Sequence, residues 1–273
     1  MKNKITNTRL SNDQIGLFYI GQAGFLFKYN NIYILIDPYL SDYVDRYCST
    51  EKNKWKRKYA PPLEPQELNF IDYVICTHAH LDHMDPDTLS KIYLNRTNSK
   101  MKFIIPAPAL NDLLNIGVNE DDIIKAYADQ TINIDGISVT ALPAAHETIN
   151  RDIYGNCIEL GFIFRFGNKT VYHSGDSCVY EGLVESVKNI DVAILPINGR
   201  DSYRFSNNIL GNMNIYEAAD LAYASNIKLL IPMHFDLYDI NGADPSLFTN
   251  YIDSKYSSLR YMVMKPKDSL III

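Results

Sequence analysis

Cysteine is scarce and scattered. Cys48, Cys76, Cys157 and Cys178 are the only four, and no two stand in a C-x-x-C spacing. A reduced, cytoplasmic protein fits that usage best. Long apolar runs are missing too. None approaches the roughly 18 residues of a membrane span, so no membrane partner is expected. The start, Met1-Lys2-Asn3-Lys4-Ile5-Thr6-Asn7, is basic, but no apolar core of about 7–15 residues follows it, which argues against a secretory signal. Positive charge is in deficit, with Lys+Arg 26 against Asp+Glu 32 and a net charge of −6. A chain of that sign repels polyanions, so nucleic acid is not the expected partner. Repeats, low-complexity tracts and Gly/Ser linkers are absent. Tryptophan occurs once, as Trp55, and histidine six times.

What is present is ordinary in bulk, 47% hydrophobic and 21% charged. A single domain over residues 1–273 is expected, with a core able to bury roughly 75% of the unfolded surface. The histidines are not ordinary in their placement. His78, His80 and His83 fall with Asp82 inside Thr77-His78-Ala79-His80-Leu81-Asp82-His83. The apolar run Phe70-Ile71-Asp72-Tyr73-Val74-Ile75-Cys76 before them reads as a buried strand, and Asp85-Pro86-Asp87-Thr88 after them as a turn or helix start. His146, the pair His173 and Asp176, and His234 each follow another apolar, strand-like run. Strand, polar loop, then His or Asp thus occurs four times. In layered α/β proteins sites form where loops from different strand ends converge.

Short strands are expected at 17–20, 25–29 and 32–36, with turns at Gly21–Gly24 and Asn30-Asn31. Asp37-Pro38 ends the third. A helix is expected over 86–94, a strand over 102–106, a helix over 109–115 and a meander of short strands over 123–142. Strands at 157–166, 169–173 and 190–195 follow, with a helix near 179–188. A helix over 216–224 leads into a strand at 228–231. This order predicts two sheets in contact with helices outside, an α/β sandwich. Residues 41–67 show no clear period. They hold Lys52, Lys54, Trp55, Lys56, Arg57 and Lys58, and read either as a solvated excursion or as a lid insertion over the site.

Imidazole and carboxylate suit Zn, Mn or Fe. In a tight loop His78 and His80 can face one ion while Asp82 and His83 face a second. A distant His completes a three-nitrogen set with an open position for water, and Asp176 is suited to bridge two cations. Two dications would activate a water and stabilise the developing oxyanion. His173, at a strand end, is either structural or orients a ligand from behind. Cys178 reads as a plain buried thiol. Asn198-Gly199-Arg200-Asp201-Ser202-Tyr203-Arg204 offers two guanidiniums. They either clamp a substrate phosphate or pair with Asp201 and neighbouring acids. Asn212 and Asn214 would line the same pocket.

The H-x-H-x-D-H pattern, followed by a distant His, an Asp and a final His, resembles the signature of the metallo-β-lactamase superfamily. The resemblance implies an αββα sandwich of two mixed β-sheets with helices outside. It implies His78, His80 and His146 at a first metal site, Asp82, His83 and His234 at a second, and Asp176 as the bridge. Further segments resemble the L-ascorbate-6-phosphate lactonase branch. These are Gly21-Gln22-Ala23-Gly24-Phe25, Ile36-Asp37-Pro38-Tyr39, Ile105-Pro106-Ala107-Pro108-Ala109, Tyr172-His173-Ser174-Gly175-Asp176, Leu195 to Asp201, Gly211-Asn212-Met213-Asn214 and Pro232-Met233-His234-Phe235-Asp236.

That branch implies a hydrolase with two divalent ions, Mn or Zn, opening the lactone of a phosphorylated sugar acid. Asp82 or Asp176 would orient the attacking water. The partner is then a small anionic substrate, and a homo-oligomer is compatible with it. Two other expectations stay open. One is a metal-dependent phosphodiesterase acting on a cyclic nucleotide, nucleic acid or phospholipid, which the basic run at 52–58 favours. The other is a regulator that keeps the metals without turnover.

Overall fold

A computed structural model describes all 273 residues. The chain divides into two compact units, Met1–Tyr127 with Lys265–Ile273, and Ala128–Met264. No helix is long and apolar enough to cross a membrane.

The first unit carries a seven-stranded mixed sheet. β1 (Ile15–Gly21), β2 (Gly24–Tyr29) and β3 (Ile32–Ile36) form an antiparallel meander. Asn30 turns the second corner with φ +52°, a backbone that asparagine tolerates better than most residues. β4 (Tyr73–Ile75), β5 (Lys102–Pro106) and β6 (Ile123–Ala126) extend the sheet in parallel from β3. On the other edge β13 (Ser269–Ile272) pairs antiparallel with β1. Four helices belong to this unit: α1 (Lys2–Asn7), α2 (Tyr43–Cys48), α3 (Pro86–Leu94) and α4 (Leu110–Asn115).

The local sequence explains α3. Asp85 caps it by accepting from Asp87 N at 3.1 Å, and Pro86 supplies a first-turn φ with no N–H to satisfy. Leu89, Ile92 and Tyr93 recur at helical spacing and enter a core with Val74, Phe103 and Ile105. Fully burying each aliphatic side chain contributes roughly 1.5–3 kcal/mol. α1 is fastened differently. The Lys28 ammonium, only 6% exposed, donates to Ile5 O, Thr6 O and Thr8 O at 3.2, 2.8 and 2.8 Å. Its three donors thus satisfy carbonyls at the helix C-terminus.

The second unit holds a six-stranded sheet. β7 (Thr131–Ile134), β8 (Ile137–Pro143), β9 (Leu160–Phe166) and β10 (Lys169–His173) pair antiparallel in turn. β11 (Val192–Pro196) and β12 (Leu229–Met233) continue in parallel from β10. Its helices are α5 (Leu183–Ser186), α6 (Ser202–Ser206), α7 (Ile215–Ala224) and α8 (Pro245–Lys255). α7 starts on a capping box. Asn214 Oδ1 accepts from Tyr216 N and Glu217 N, while the Glu217 carboxylate accepts from Asn214 N. Ala218, Ala219, Leu221 and Ala222 then turn inward.

Parallel directions set where chemistry can gather. β3 and β4 run side by side with Ile36 opposite Ile75, so Asp37 and the Cys76–His83 loop leave the same edge of the first sheet. β8 runs in the direction of β10, β11 and β12. The segments leading to His146, Asp176, Asn198 and His234 therefore leave one edge of the second.

Several expected elements are corrected. The meander over 123–142 is two things: β6 joins the first sheet in parallel, and β7 with β8 form a hairpin of the second. The helix near 179–188 is a single turn, because Gly182 at φ +89° sits where a longer helix would have to pass. The strand at 157–166 begins only at Leu160, and that at 70–76 shrinks to Tyr73–Ile75. Segment 41–67 contains α2 and a 3-10 turn at Pro65–Leu68. α1, α6, α8 and β13 are not among the elements expected from the sequence.

Candidate metal centre

In the first unit the loop after β4 brings His78, His80, Asp82 and His83 together. The His78 ring lies 4.5 Å from that of His80 and 4.2 Å from that of His83, centroid to centroid. Ligand atoms of His78 and His80, of His78 and His83, and of Asp82 and His83 each fall within 4.8 Å. His78 and His83 are buried, Asp82 is half-buried and His80 is exposed.

The loop is held from behind by Asp37, which is fully buried. Its Oδ1 accepts from Thr77 N at 2.8 Å. Its Oδ2 accepts from Thr77 Oγ1 and from His83 Nδ1, both at 2.7 Å. The Thr77 hydroxyl spends its proton on that carboxylate, so toward His78 Nδ1, 3.0 Å away, it can only accept. A carboxylate likewise only accepts. His78 and His83 therefore both carry their proton on Nδ1, which leaves Nε2 as the lone-pair nitrogen a metal needs. Gln22, at φ +58° in the β1–β2 turn, donates from Nε2 to Asp82 Oδ2 at 2.8 Å.

In the second unit His146, Asp176 and His234 meet. His146 Nε2 and His234 Nε2 both point at Asp176 Oδ2, at 3.7 and 3.3 Å. His146 Nδ1 faces Gly211 O at 3.0 Å. A carbonyl only accepts, so His146 has the same tautomer as His78 and His83. Glu147 secures that partner by accepting from Gly211 N at 3.0 Å. His234 adopts a left-handed backbone at φ +60°, a region where histidine is enriched over most non-glycine residues. Gly175 provides the same handedness, φ +59°, just before Asp176.

His173 is fully buried and uses the other tautomer: its Nδ1 accepts from Gly175 N at 3.2 Å. Its proton sits on Nε2, and it shapes the turn that presents Asp176. Cys178 Sγ lies 3.8 Å from Gly211 O, and burial pushes its thiol up, so it stays protonated at neutral pH.

The arginine loop has partners inside the protein. Arg200 forms a two-pronged pair with Glu217, Nη1–Oε2 2.7 Å and Nη2–Oε1 2.6 Å, and also donates to Asn212 O at 3.1 Å. Burial works to raise the Glu217 carboxyl, but the Arg200 bonds outweigh it and hold it below the ordinary range. Arg204 pairs with Asp201 and donates to Asn241 Oδ1 at 3.0 Å and to Gly242 O at 2.7 Å. Asn212, fully buried, donates to Asn198 Oδ1 at 3.1 Å, and Asn214 caps α7. All four side chains expected to contact substrate thus have structural tasks.

Asp37, Thr77, Gln22 and Gly211 were not singled out from the sequence as site residues. Gln22, Asp37 and Gly211 fall in segments that carry the family resemblance, but nothing in the sequence assigns them a task at the histidines.

Comparison with known proteins adds independent support. A family model described as a beta-lactamase superfamily domain matches residues 33–235. A metal-dependent hydrolase of Methanosarcina mazei is 26% identical over 258 residues, 92% of this chain and 96% of that one. Among solved structures, a metallo hydrolase from Ignicoccus hospitalis is similar at TM-score 0.68 and 23% identity, over 95% of this chain and 99% of that one. A metallo-β-lactamase fold protein from Bacillus subtilis is similar at TM-score 0.68 and 17% identity, over 95% and 100%. These likenesses show the αββα fold class expected from the sequence.

Proposed function

The chain belongs to the beta-lactamase superfamily as a metal-dependent hydrolase, and from that premise we propose that it opens a carboxylic ester of the lactone type. In this proposal His78, His80, Asp82 and His83 of the first unit, and His146, Asp176 and His234 of the second, are the donors that would hold divalent ions. The observation that carries it is the shared tautomer. Nδ1 of His78, His83 and His146 each meets an acceptor, so all three keep the Nε2 lone pair for a cation. Mixed imidazole and carboxylate donors suit Mn or Zn.

Bound divalent ions would lower the pKa of water toward neutrality and stabilise oxyanion charge. The chain's own residues supply the rest. Asp82 or Asp176 would orient the attacking water and take up its proton, while Gln22 fixes the Asp82 carboxylate through its amide. Asp37 and Gly211 hold the imidazoles in register.

The lactone class is supported by the segments that resemble the L-ascorbate-6-phosphate lactonase branch. A phosphodiesterase is the second reading, favoured by the exposed lysines at 52–58. Purified protein loaded with Mn or with Zn, assayed side by side on sugar lactones and on bis-aryl phosphodiesters, separates the two. Lactone turnover that disappears in Asp176→Asn is expected. Turnover confined to the phosphodiesters overturns the lactone reading.

A further inference from the structure

The segment from Ser49 to Ala60 in the first unit has two faces. Asn53, Trp55, Arg57 and Tyr59 are half-buried, while Lys52, Lys54, Lys56 and Lys58 between them are exposed. Residues 53–57, between bends at 51–52 and 58–59, alternate as an extended chain does, and in such a chain every second residue stands about 6.5–7 Å from the last on one side. That spacing is shorter than the Debye length of about 8 Å at physiological salt, so their fields add. None of Lys52, Lys54 and Lys56 takes part in an ion pair, and the only acid within the segment is Glu51. On a chain of net charge −6 this is a local inversion of sign.

The inner face fastens the row beside the metal-ligand loop. Trp55 N donates to Ser49 Oγ at 2.9 Å. The Arg57 guanidinium donates to Ser41 O at 2.8 Å and to Tyr39 O at 3.3 Å, and lies 4.8 Å from the Tyr39 ring centroid. Tyr59 OH accepts from Gln22 N at 3.2 Å and fills the space over Gly21, where an added Cβ would stand 2.9 Å from that oxygen. Gln22 in turn donates to Asp82. Two hydrogen bonds through one residue therefore connect the lysine segment to a proposed metal ligand. The guanidiniums of the Asn198–Arg204 loop, Arg200 and Arg204, are occupied by Glu217 and Asp201.

We propose that Lys52, Lys54 and Lys56 form the element that recruits substrate, and that the substrate is a small anion carrying phosphate or carboxylate. The inference rests on the hydrolase reading and adds the charge of the substrate to it. Single-sign charge at the rim of a site raises the local concentration of an oppositely charged substrate, by a factor of about 10 or more at low salt.

The test uses the whole protein and a Lys52→Gln, Lys54→Gln, Lys56→Gln triple variant. Turnover is measured on a matched pair, glucono-δ-lactone and its 6-phosphate, with a carboxylated lactone as a third arm. The ratio of kcat/KM for charged over neutral lactone should fall about 10-fold in the variant. In the parent the same ratio should fall as salt rises. Loss on the phosphate arm alone, or on the carboxylate arm alone, identifies the anion. A second readout does not depend on turnover. Trp55 is the only tryptophan, so collisional quenching by iodide, normalised to acrylamide, reports the potential inside the row. It should drop about 2-fold or more in the variant. An unchanged ratio overturns the proposal, and lowered iodide quenching beside it shows that the row's potential was removed without affecting the substrate. Iodide preference without turnover of any lactone supports the row and sinks the lactone reading instead.

Discussion

Replacing Asp37 by Asn should separate folding from metal binding. The Asp37 carboxylate accepts three hydrogen bonds and donates none. An amide of the same shape has one oxygen and one NH₂. With the oxygen toward Thr77 N, whose backbone proton cannot move, the amide nitrogen faces Thr77 Oγ1 and His83 Nδ1. Every hydrogen bond can still be made, but only if both partners reverse. His83 Nδ1 must become an acceptor, which moves its proton to Nε2. Thr77 Oγ1 must accept from the amide and pass its own proton toward His78 Nδ1, 3.0 Å away, which reverses His78 as well. Two proposed ligands would then present N–H instead of a lone pair.

Restoring them on metal binding breaks two buried hydrogen bonds at about 1–1.5 kcal/mol each. The total of about 2–3 kcal/mol corresponds to roughly 30- to 150-fold in affinity. Asparagine also tolerates the φ of +45° that Asp37 adopts, so the backbone is not disturbed. The expected outcome is a fold with a nearly unchanged melting temperature and a Zn or Mn dissociation constant raised by that factor, measured by chelator competition. Long-range ¹⁵N spectra of the imidazoles should show His78 and His83 protonated at Nε2. Unchanged metal affinity with both rings still protonated at Nδ1 would refute the relay.

Asn214→Ala removes the α7 cap and should cost about 1 kcal/mol in urea unfolding while KM stays put; a several-fold rise in KM would show that Asn214 touches substrate. Gly211→Ala brings a Cβ to 2.2 Å from Arg200 Cβ and displaces the carbonyl that orients His146, so both melting temperature and metal content should fall, by about 1–3 kcal/mol in stability. Asp191, which burial tends to raise, is held below the ordinary carboxylate pKa by bonds from Lys228, Thr170 N and Thr170 Oγ1. A depressed folded pKa gives stability that is present above the unfolded value of roughly 3.9 and is lost as pH falls through the folded one. Asp191→Asn should therefore lower stability at pH 7 by about 1–2 kcal/mol and flatten the decline below about pH 4, and an unchanged acid limb counts against the assignment.

The histidine loop was legible because its four donors are contiguous and follow an apolar run. The sheets were legible where strands announce themselves by β-branched runs and turns, as from Leu17 to Ile36. What stayed hidden depends on partners distant in sequence. Arg200 and Arg204 look like an anion clamp until Glu217, Asn241 and Gly242 are brought to them, 17 to 38 positions away. Asp37 reads as a turn residue until parallel pairing of β3 and β4 places it under His83, 46 positions on. β6 looked like part of a hairpin series because alternation alone does not say which sheet a strand joins. The short helices α1, α2 and α6 bury too few apolar residues to leave a period.

The left-handed turn at His234 has an evolutionary consequence. Glycine would relax that backbone at once, so a copy of this chain released from selection for its chemistry should drift toward glycine or asparagine there before any core position changes. A lineage that retains histidine against that pull is one in which the side chain is still in use. The same position offers engineers a direct measurement of what that backbone costs, since His234→Asn keeps a residue that tolerates φ +60°, whereas His234→Gly relaxes the backbone but empties a buried site, so comparing the two in the metal-free protein separates strain from packing.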